Sequence, residues 1–514
     1  MNKKLNLIIT LLTLGIPSSY SYANNLETVA AQKKTYSLRF DTQHYTKSSL
    51  TINGQSVEYR AFEHIVYVKY PVDTQYQQMN IYIPEAYFEG KSIGHYTAKN
   101  APIFLPNNIG GYMPAEPGTL GMSREGNGPN AASVALAKGY IVAGPGARGR
   151  TLQNMDGQYT GKAPAAIVDL KAAVRYLRYN DKTMPGDAEK IISNGTSAGG
   201  AMSALLGASG NSKAYSPYLK AIGAANARDD VFAVSAYCPI TNLENADAAY
   251  EWQFNGINDY KKVDFSGMMN PGMKPKLEGG KPEMPMKPKE ITGTLTLAEI
   301  QTSNALKVLF PSYLNSLKLK DDQGNALTLD VQGNGSFKTL VKAQVIASAQ
   351  AALNQGTNLS ASPWVSIKDG KVTDINYDAY LKAVLRMKTP PAFDALDLSS
   401  GENDLFGSAN IQAQHFTAYA SANSAKQAST ANPAIVKLMN PMNYISNSKA
   451  GTAKYWRIRH GTADRDTSLA ISAILATKLK NTGKVVDYAF PWARTHSGDY
   501  DLDELFAWVD KVSQ

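Results

Sequence analysis

The sequence predicts an α/β fold in which a mostly parallel sheet is flanked by helices and carries a large, largely helical cap or lid insertion. Three observations predict it. Residues 34–105 alternate polar and apolar side chains in short runs, which is typical of antiparallel strands. Helix-like and strand-like segments then alternate between residues 131 and 193, the βαβ order of a parallel sheet. This pattern breaks off after about residue 243 and resumes at residue 455.

The elements on either side of the break can be assigned from hydrophobic periodicity. Predicted strands in the amino-terminal part are Ser37–Phe40, His64–Val68, Met79–Ile83, Tyr140–Ala143 and Lys190–Ser193. Predicted helices there are Ala131–Lys138, Ala165–Tyr179 and Ala201–Leu206. The carboxy-terminal part predicts the strands Tyr455–Arg459 and Val485–Phe490 and the helices Ser468–Leu479 and Asp501–Val512. The two parts together make one α/β domain.

The intervening segment has a different composition. Residues 270–290 are rich in Pro, Lys, Met and Gly, which predicts a loop. Helical periodicity returns at residues 297–308, 338–354 and 376–388. We therefore predict a first part of the α/β domain at residues 24–242, an inserted lid at 243–400 and a second part at 401–514.

Residues 1–23 have the features of a secretory signal peptide. Lys3 and Lys4 precede an apolar run from Leu5 to Ile16, which is short for a membrane span, and Ala23 ends the small-residue cleavage site. We expect the mature chain to begin near Asn24 without a stable membrane anchor. The predicted location is therefore outside the cytoplasm, periplasmic or secreted.

Charge and cysteine content argue against several other classes. The formal net charge of +9 is spread along the chain and accompanies no nucleic-acid motif, so we predict a solvated basic surface and no nucleic-acid partner. Cys238 is the single cysteine, which excludes an intrachain disulfide. It follows an apolar run, and we expect it to be buried and inert. No cofactor or metal site is predicted, since no group of His, Cys and Asp has metal-ligand spacing.

The strongest chemical signal is the sequence Gly-Thr-Ser-Ala-Gly around Ser197. A predicted strand precedes it and a helix-forming run follows it, which is the context of the nucleophile elbow of α/β-hydrolases. The turn is sharp, so Gly195 and Gly199 leave room for the neighbouring backbone. Gly144–Gly149 matches a dinucleotide-binding pattern, but the polar stretch after it does not read as a helix, so no nucleotide site is predicted.

A serine nucleophile needs a base and an acid, which follow it in this fold in the order acid, then histidine. His496 lies after the last predicted strand and is the expected base. Asp464 follows the preceding strand in His-Gly-x-x-Asp and is the expected acid, with Asp466 left as an alternative. The other histidines, including His460, are predicted to be structural or surface residues.

The oxyanion of the tetrahedral intermediate needs two backbone donors. One is expected to be the N–H of Ala198, directly after the nucleophile. The other is expected from the loop after an early strand, where Gly110 and Gly111 occur, with Gly111 favoured. An ordinary Gly-Gly turn is the alternative interpretation of that loop.

These motifs resemble those of bacterial tannases of the lactobacillar type. The resemblance is carried by Gly195–Ala201, Arg459–Thr467 and His496, and it spans most of the mature chain. It implies hydrolysis of galloyl esters and tannins by an α/β-hydrolase. It also implies that Lys388, Glu402 and Asp466 bind the hydroxyl groups of the galloyl ring.

Two other functions remain open from the sequence. An esterase for feruloyl or acetyl groups of plant polysaccharide would share the triad and differ only in its acyl pocket. A catalytically dead α/β-hydrolase acting as a secreted binding protein is disfavoured by the intact set of Ser, Asp and His. A serine-reactive fluorophosphonate distinguishes the enzyme from the binding protein, because it would label Ser197 only in the enzyme.

Overall fold

A nine-stranded sheet is the largest sheet among the described residues. The computed structural model describes residues 34–52, 54–123, 128–264, 277–278, 281–282 and 289–514. The sheet strands are β1 (Thr46–Ile52), β2 (Gln55–Val66), β3 (Gln78–Pro84), β4 (Pro102–Pro106), β5 (Ile141–Pro145), β6 (Asp187–Thr196), β7 (Ala233–Tyr237), β14 (Tyr455–Arg459) and β15 (Val485–Ala489). Their order across the sheet is β1-β2-β3-β5-β4-β6-β7-β14-β15. In this spatial order, the neighbouring strands β1, β2, β3 and β5 pair antiparallel. The neighbouring strands from β5 through β4, β6, β7 and β14 to β15 pair parallel.

Helices cover the sheet and build most of the insertion. The first six helices in chain order are α1 (Glu85–Phe88), α2 (Ala131–Ala137), α3 (Ala165–Tyr179), α4 (Ala198–Ala208), α5 (Ser216–Ala221) and α6 (Leu243–Phe254). Those that follow are α7 (Leu297–Lys307), α8 (Phe310–Ser316), α9 (Ser336–Asn354), α10 (Tyr377–Val384), α11 (Gly401–Leu405), α12 (Ala418–Ala422), α13 (Pro433–Leu438), α14 (Leu469–Asn481) and α15 (Leu502–Ser513). The short strands between β7 and β14 are β8 (Asp259–Asp264), β9 (Leu277–Glu278), β10 (Lys281–Pro282), β11 (Lys289–Thr294), β12 (Val365–Lys368) and β13 (Lys371–Ile375).

The core lies between the sheet and its helices because the central strands are apolar on both faces. Every residue of β7 is buried, as expected for a parallel strand covered on two sides. Helix α4 packs closely on this strand at Gly207, where a β carbon would lie 2.2 Å from a methyl group of Val234. Near the start of α4, a β carbon on Gly200 would lie 2.5 Å from the carbonyl oxygen of Tyr237. This second contact holds the start of α4 against the carboxyl end of the sheet, where the candidate site lies.

The predicted fold class is confirmed, and most predicted elements of the α/β domain are present. Helix α3 and strand β14 have the predicted bounds. The strand predicted at Ser37–Phe40 is wrong: this segment pairs with no strand, and the Phe40 N–H donates instead to Oδ1 of Asn180, 2.8 Å away. The polar and apolar residues of this segment alternate because Leu38 and Phe40, two positions apart in an extended chain, are both buried.

Two of the three helices predicted in the insertion are present with nearly the predicted bounds, as α7 and α9. The third, predicted at 376–388, ends early at Val384. Leu385 has a φ of 66°, and the following Arg386 accepts a backbone hydrogen bond from Lys261. Tertiary contacts therefore override helix propensity there. The predicted 270–290 loop and the predicted signal peptide lie mostly or wholly outside the described residues. Within the described part of the chain, no helix has the length and apolar character needed to cross a membrane.

Candidate active site

Ser197 occupies a strained turn between β6 and α4. Its φ of 60° and ψ of −124° are unfavourable for a residue with a side chain, as found at nucleophile elbows. A β carbon on Gly195 would lie 2.4 Å from the carbonyl oxygen of Gly199, and one on Gly199 would lie 2.7 Å from Oδ1 of Asn107. The two glycines that the motif analysis singled out are therefore required by close packing around the turn.

Asp464 and His496 are brought together by two loops at the carboxyl ends of β14 and β15. His496 Nδ1 lies 2.8 Å from Oδ2 of Asp464. The loops approach so closely that a β carbon on Gly461 would lie 2.0 Å from the carbonyl oxygen of Arg494. The Ala463 N–H donates to that same oxygen over 3.0 Å. Backbone contacts between the loops thus set the position of the carboxylate relative to the imidazole.

The loop carrying His496 also contacts the serine turn. A β carbon on Gly498 would lie 1.9 Å from Oγ1 of Thr196, the residue before Ser197. His496 Nε2 is buried and has no hydrogen-bond partner among the described residues. Burial disfavours the imidazolium, but the Asp464 carboxylate outweighs burial and holds the pKa of His496 well above its ordinary value. The pKa of Asp464 is correspondingly held below its usual range, despite burial, by His496 and His460.

Two residues beside the Asp464–His496 pair were not predicted from the sequence to belong to the site. His460 Nε2 lies 3.2 Å from Oδ2 of Asp464, and its Nδ1 lies 2.8 Å from Oγ of Ser472. Its spacing of four residues from Asp464 was the available signal. Cys238 is buried as predicted, but ligand-type atoms of Cys238, Asp464 and His496 all lie within 4.8 Å of one another. Burial raises the pKa of the Cys238 thiol, although His496 acts in the opposite direction.

The loop after β4 is fastened to the serine turn. Asn107 Nδ2 donates to the carbonyl oxygen of Gly199 over 3.1 Å and to Oγ of Ser203 over 2.9 Å. Further along, Gly111 adopts a φ of 53°, and its carbonyl oxygen accepts from Arg150 Nε over 2.8 Å. Ala198 begins α4, where the first N–H groups of a helix have no acceptor within the helix. The loop holding Gly111 is therefore anchored beside the start of α4.

Lys388 and Asp466 meet at the edge of the site. Lys388 Nζ lies 3.0 Å from Oδ1 of Asp466 and 4.0 Å from the ring centre of Phe393. Glu402 lies in the first turn of α11 and is half-buried. Burial raises the pKa of Glu402, and the charge of Lys388 opposes that change. Burial lowers the pKa of Lys388, but Asp466 and Glu402 outweigh it, so the net shift is upward. The three side chains form one interacting group of charges.

Comparison with known proteins shows which protein families and solved structures this chain resembles. The family model BD-FAE matches residues 123–272. Among curated proteins, none matches the chain. The solved structure of Fusobacterium nucleatum tannase has 54% sequence identity and a TM-score of 0.87, covering 93% of this chain and 100% of its own. The tannin acyl hydrolase from Lactobacillus plantarum has 45% identity and a TM-score of 0.85, covering 93% and 99%. A tannin acyl hydrolase in complex with ethyl gallate has 45% identity, the same coverage and a TM-score of 0.84.

The fold and these relatives define a carboxylic ester hydrolase of the α/β-hydrolase type. Identity of 45–54% over 93% of the chain is far above the level at which fold alone is shared. The chain belongs to the bacterial tannase family.

Proposed function

We propose that this enzyme hydrolyses galloyl esters, including hydrolysable tannins, to gallic acid and an alcohol through an acyl-enzyme on Ser197. His496 is the general base, Asp464 orients it, and the N–H groups of Ala198 and Gly111 bind the oxyanion. The observation that carries the proposal is the contact of 2.8 Å between His496 and Asp464, made by a loop that packs against the turn of Ser197.

The proposed chemistry follows from this arrangement. His496 Nε2 takes the proton of Ser197 as the oxygen attacks the ester carbonyl carbon, and Asp464 stabilises the imidazolium that forms. The tetrahedral intermediate collapses, and the departing alcohol takes the proton from His496. Water then attacks the acyl-enzyme with His496 again as base, which releases gallate and restores the serine. The start of α4 adds its positive end to the stabilisation of the oxyanion.

The acyl specificity is assigned to Lys388, Glu402 and Asp466. Phenolic hydroxyls donate strongly to carboxylates, and an ammonium group favours the more acidic phenols. Two carboxylates and one ammonium within one group of interacting charges therefore suit a ring with several adjacent hydroxyls. Relatives solved with ethyl gallate and with 3,4-dihydroxybenzoate support this choice of ligand.

A panel of four esters tests the proposal against the feruloyl or acetyl esterase alternative. Methyl gallate and methyl protocatechuate should be good substrates. Methyl ferulate should be poor, because a methoxy group replaces a donor and a vinyl spacer moves the ring away from the three side chains. A higher kcat/KM for methyl ferulate or p-nitrophenyl acetate than for methyl gallate would favour the alternative.

Export is the second part of the proposal. Lys3, Lys4 and the apolar run that follows support removal of residues 1–23 and release outside the cytoplasm, without a lasting membrane anchor. The segment 243–400 is proposed as a lid inserted into one hydrolase domain. Mass spectrometry of the protein from an exporting host should give a chain that begins near Asn24, and a retained Met1 in the extracytoplasmic fraction would contradict signal cleavage.

A further inference from the structure

Helix α6 presents three polar side chains on one face to the chain segment that contains Lys388. Asp247, Tyr250 and Glu251 occupy positions i, i+3 and i+4, which share a face of an α-helix. All three are buried, with exposed fractions of 3%, 0% and 0%. Each makes a hydrogen bond or ion pair with a residue between 386 and 394. Buried polar groups concentrated on one short segment indicate that its position is specified closely.

The hydroxyl of Tyr250 joins the two chain segments that carry Lys388 and Asp466. It accepts hydrogen bonds from the backbone N–H groups of Met387 and Lys388, both over 3.0 Å. It donates to the carbonyl oxygen of Arg465 over 2.8 Å. Arg465 directly precedes Asp466, so one phenol oxygen sets the backbone of both partners of the Lys388–Asp466 ion pair.

The neighbouring Glu251 supports the same segment from the other side. Its carboxylate pairs with Arg386, and both side chains are fully buried. Arg386 Nε in turn donates to the carbonyl oxygen of Lys388 over 2.8 Å. The N–H and the carbonyl group of Lys388 are therefore both bonded to side chains that depend on α6, which leaves its backbone little freedom to rotate.

Asp247 extends the network toward Glu402. Its carboxylate accepts from the N–H groups of Phe393 and Asp394, over 2.7 and 3.1 Å. Asp394 then accepts from Nδ2 of Asn403 over 2.7 Å, and Asn403 follows Glu402 in α11. Through these bonds α6 is connected to the chain segments that carry all three side chains proposed to bind the galloyl ring.

We propose that Tyr250 is a positioning residue for acyl specificity, whose hydroxyl sets Lys388 and Asp466 at the separation that the ring hydroxyls require. This inference rests on the proposed function and deepens it. Because Tyr250 is fully buried, the proposal gives it no direct contact with substrate. Its removal should therefore weaken recognition of hydroxylated rings more than it weakens the chemistry at Ser197.

The test is Tyr250→Phe, which removes one oxygen and keeps the ring packing. Tyr67→Phe is the matched control, because the buried Tyr67 hydroxyl donates to the carbonyl oxygen of Gly146, away from the proposed site. The kcat and KM of wild type and both variants are measured with methyl gallate and with p-nitrophenyl acetate, and gallate affinity is measured by calorimetry. Asp247→Asn is a second variant on the same face, used if Tyr250→Phe does not fold.

Tyr250→Phe should raise KM for methyl gallate and weaken gallate binding by about 10-fold, with a much smaller change in kcat. Its loss of kcat/KM on methyl gallate should exceed its loss on p-nitrophenyl acetate by about 10-fold, whereas Tyr67→Phe should keep the wild-type ratio. An unchanged ratio in Tyr250→Phe, with equal losses on both esters, would overturn the inference and leave Tyr250 a residue of the core. Failure of wild type to hydrolyse methyl gallate would instead overturn the proposed function, and gallate affinity would still decide whether Tyr250 positions a ring site.

Discussion

The backbone N–H of Asp466 donates to Oδ1 of Asp464 over 2.9 Å, so two aspartates only two residues apart hold different positions. Oδ2 of Asp464 faces His496, whereas the carboxylate of Asp466 faces Lys388. One short turn after β14 thus supplies both the acid of the proposed triad and one wall of the proposed acyl pocket. The sequence alone left both aspartates open as the acid, and their different contacts predict different consequences of mutation.

Asp464→Asn should reduce kcat far more than Asp466→Asn. The first change removes the group that fixes the tautomer and stabilises the charge of His496, and a loss of roughly 10³- to 10⁴-fold is expected. The second should act mainly on KM for methyl gallate, since Asp466 contacts Lys388 and not His496. Steady-state kinetics of the two isosteric variants give the comparison. A reversed order of the kcat losses would exchange the two roles.

The pH dependence of kcat/KM should report the raised pKa of His496. The imidazole accepts a proton from Ser197 only when neutral, so activity should rise as pH passes upward through that pKa. Because Asp464 holds the pKa above its ordinary value of 6.5, the midpoint of the rising limb should lie above pH 6.5. The residual activity of Asp464→Asn should show a lower midpoint. A wild-type midpoint at or below 6.5 would contradict the pairing.

Glu402→Ala should lower kcat/KM for methyl gallate by roughly 10- to 100-fold. That range is about 1.5–3 kcal/mol, the contribution expected of a hydrogen bond to a charged group. The loss on p-nitrophenyl acetate, which has no ring on its acyl side, should be at least about ten-fold smaller. Parallel losses on the two esters would mean that Glu402 supports the fold or the triad.

Gly461→Ala should impair catalysis through loop geometry alone. The added β carbon would meet the carbonyl oxygen of Arg494 at 2.0 Å, so the loops of Asp464 and His496 must separate. We expect kcat to fall by roughly 100-fold, the scale of a displacement of about 1 Å in an active site. Gly451→Ala is the control, since its nearest neighbour would be 3.5 Å away. Similar kcat values in both variants would argue against the role of this contact.

The sequence predicted those parts of the fold that depend on local pattern. Helix α3 has a buried face with helical periodicity, and Ser197 lies in a motif whose glycines are required by a sharp turn. Both features can be recognised from the residue types within one short stretch of sequence. Accordingly the fold class, strands β3, β5, β6, β14 and β15 and the serine turn were placed correctly, whereas β7 was noted only as an apolar run and not predicted as a strand.

Features that depend on contacts between distant segments were not predictable in the same way. The helix expected at residues 376–388 ends at Val384 because Arg386 is drawn into a buried pair with Glu251, more than a hundred residues earlier. Cys238 comes to lie beside His496 because β7 and β15 flank β14 in the sheet, an order that no local pattern encodes.

The central claim is that a galloyl group is transferred to Ser197, and trapping the acyl-enzyme tests it most directly. Wild-type enzyme mixed with methyl gallate and quenched in acid within milliseconds is digested and examined by peptide mass spectrometry. Ser197→Ala, expected to lose roughly 10⁴-fold or more of kcat, is the control. The account predicts a galloyl adduct on the peptide containing Ser197 in wild type and none in the variant. A galloyl adduct on a different residue, or full activity of Ser197→Ala, would contradict it.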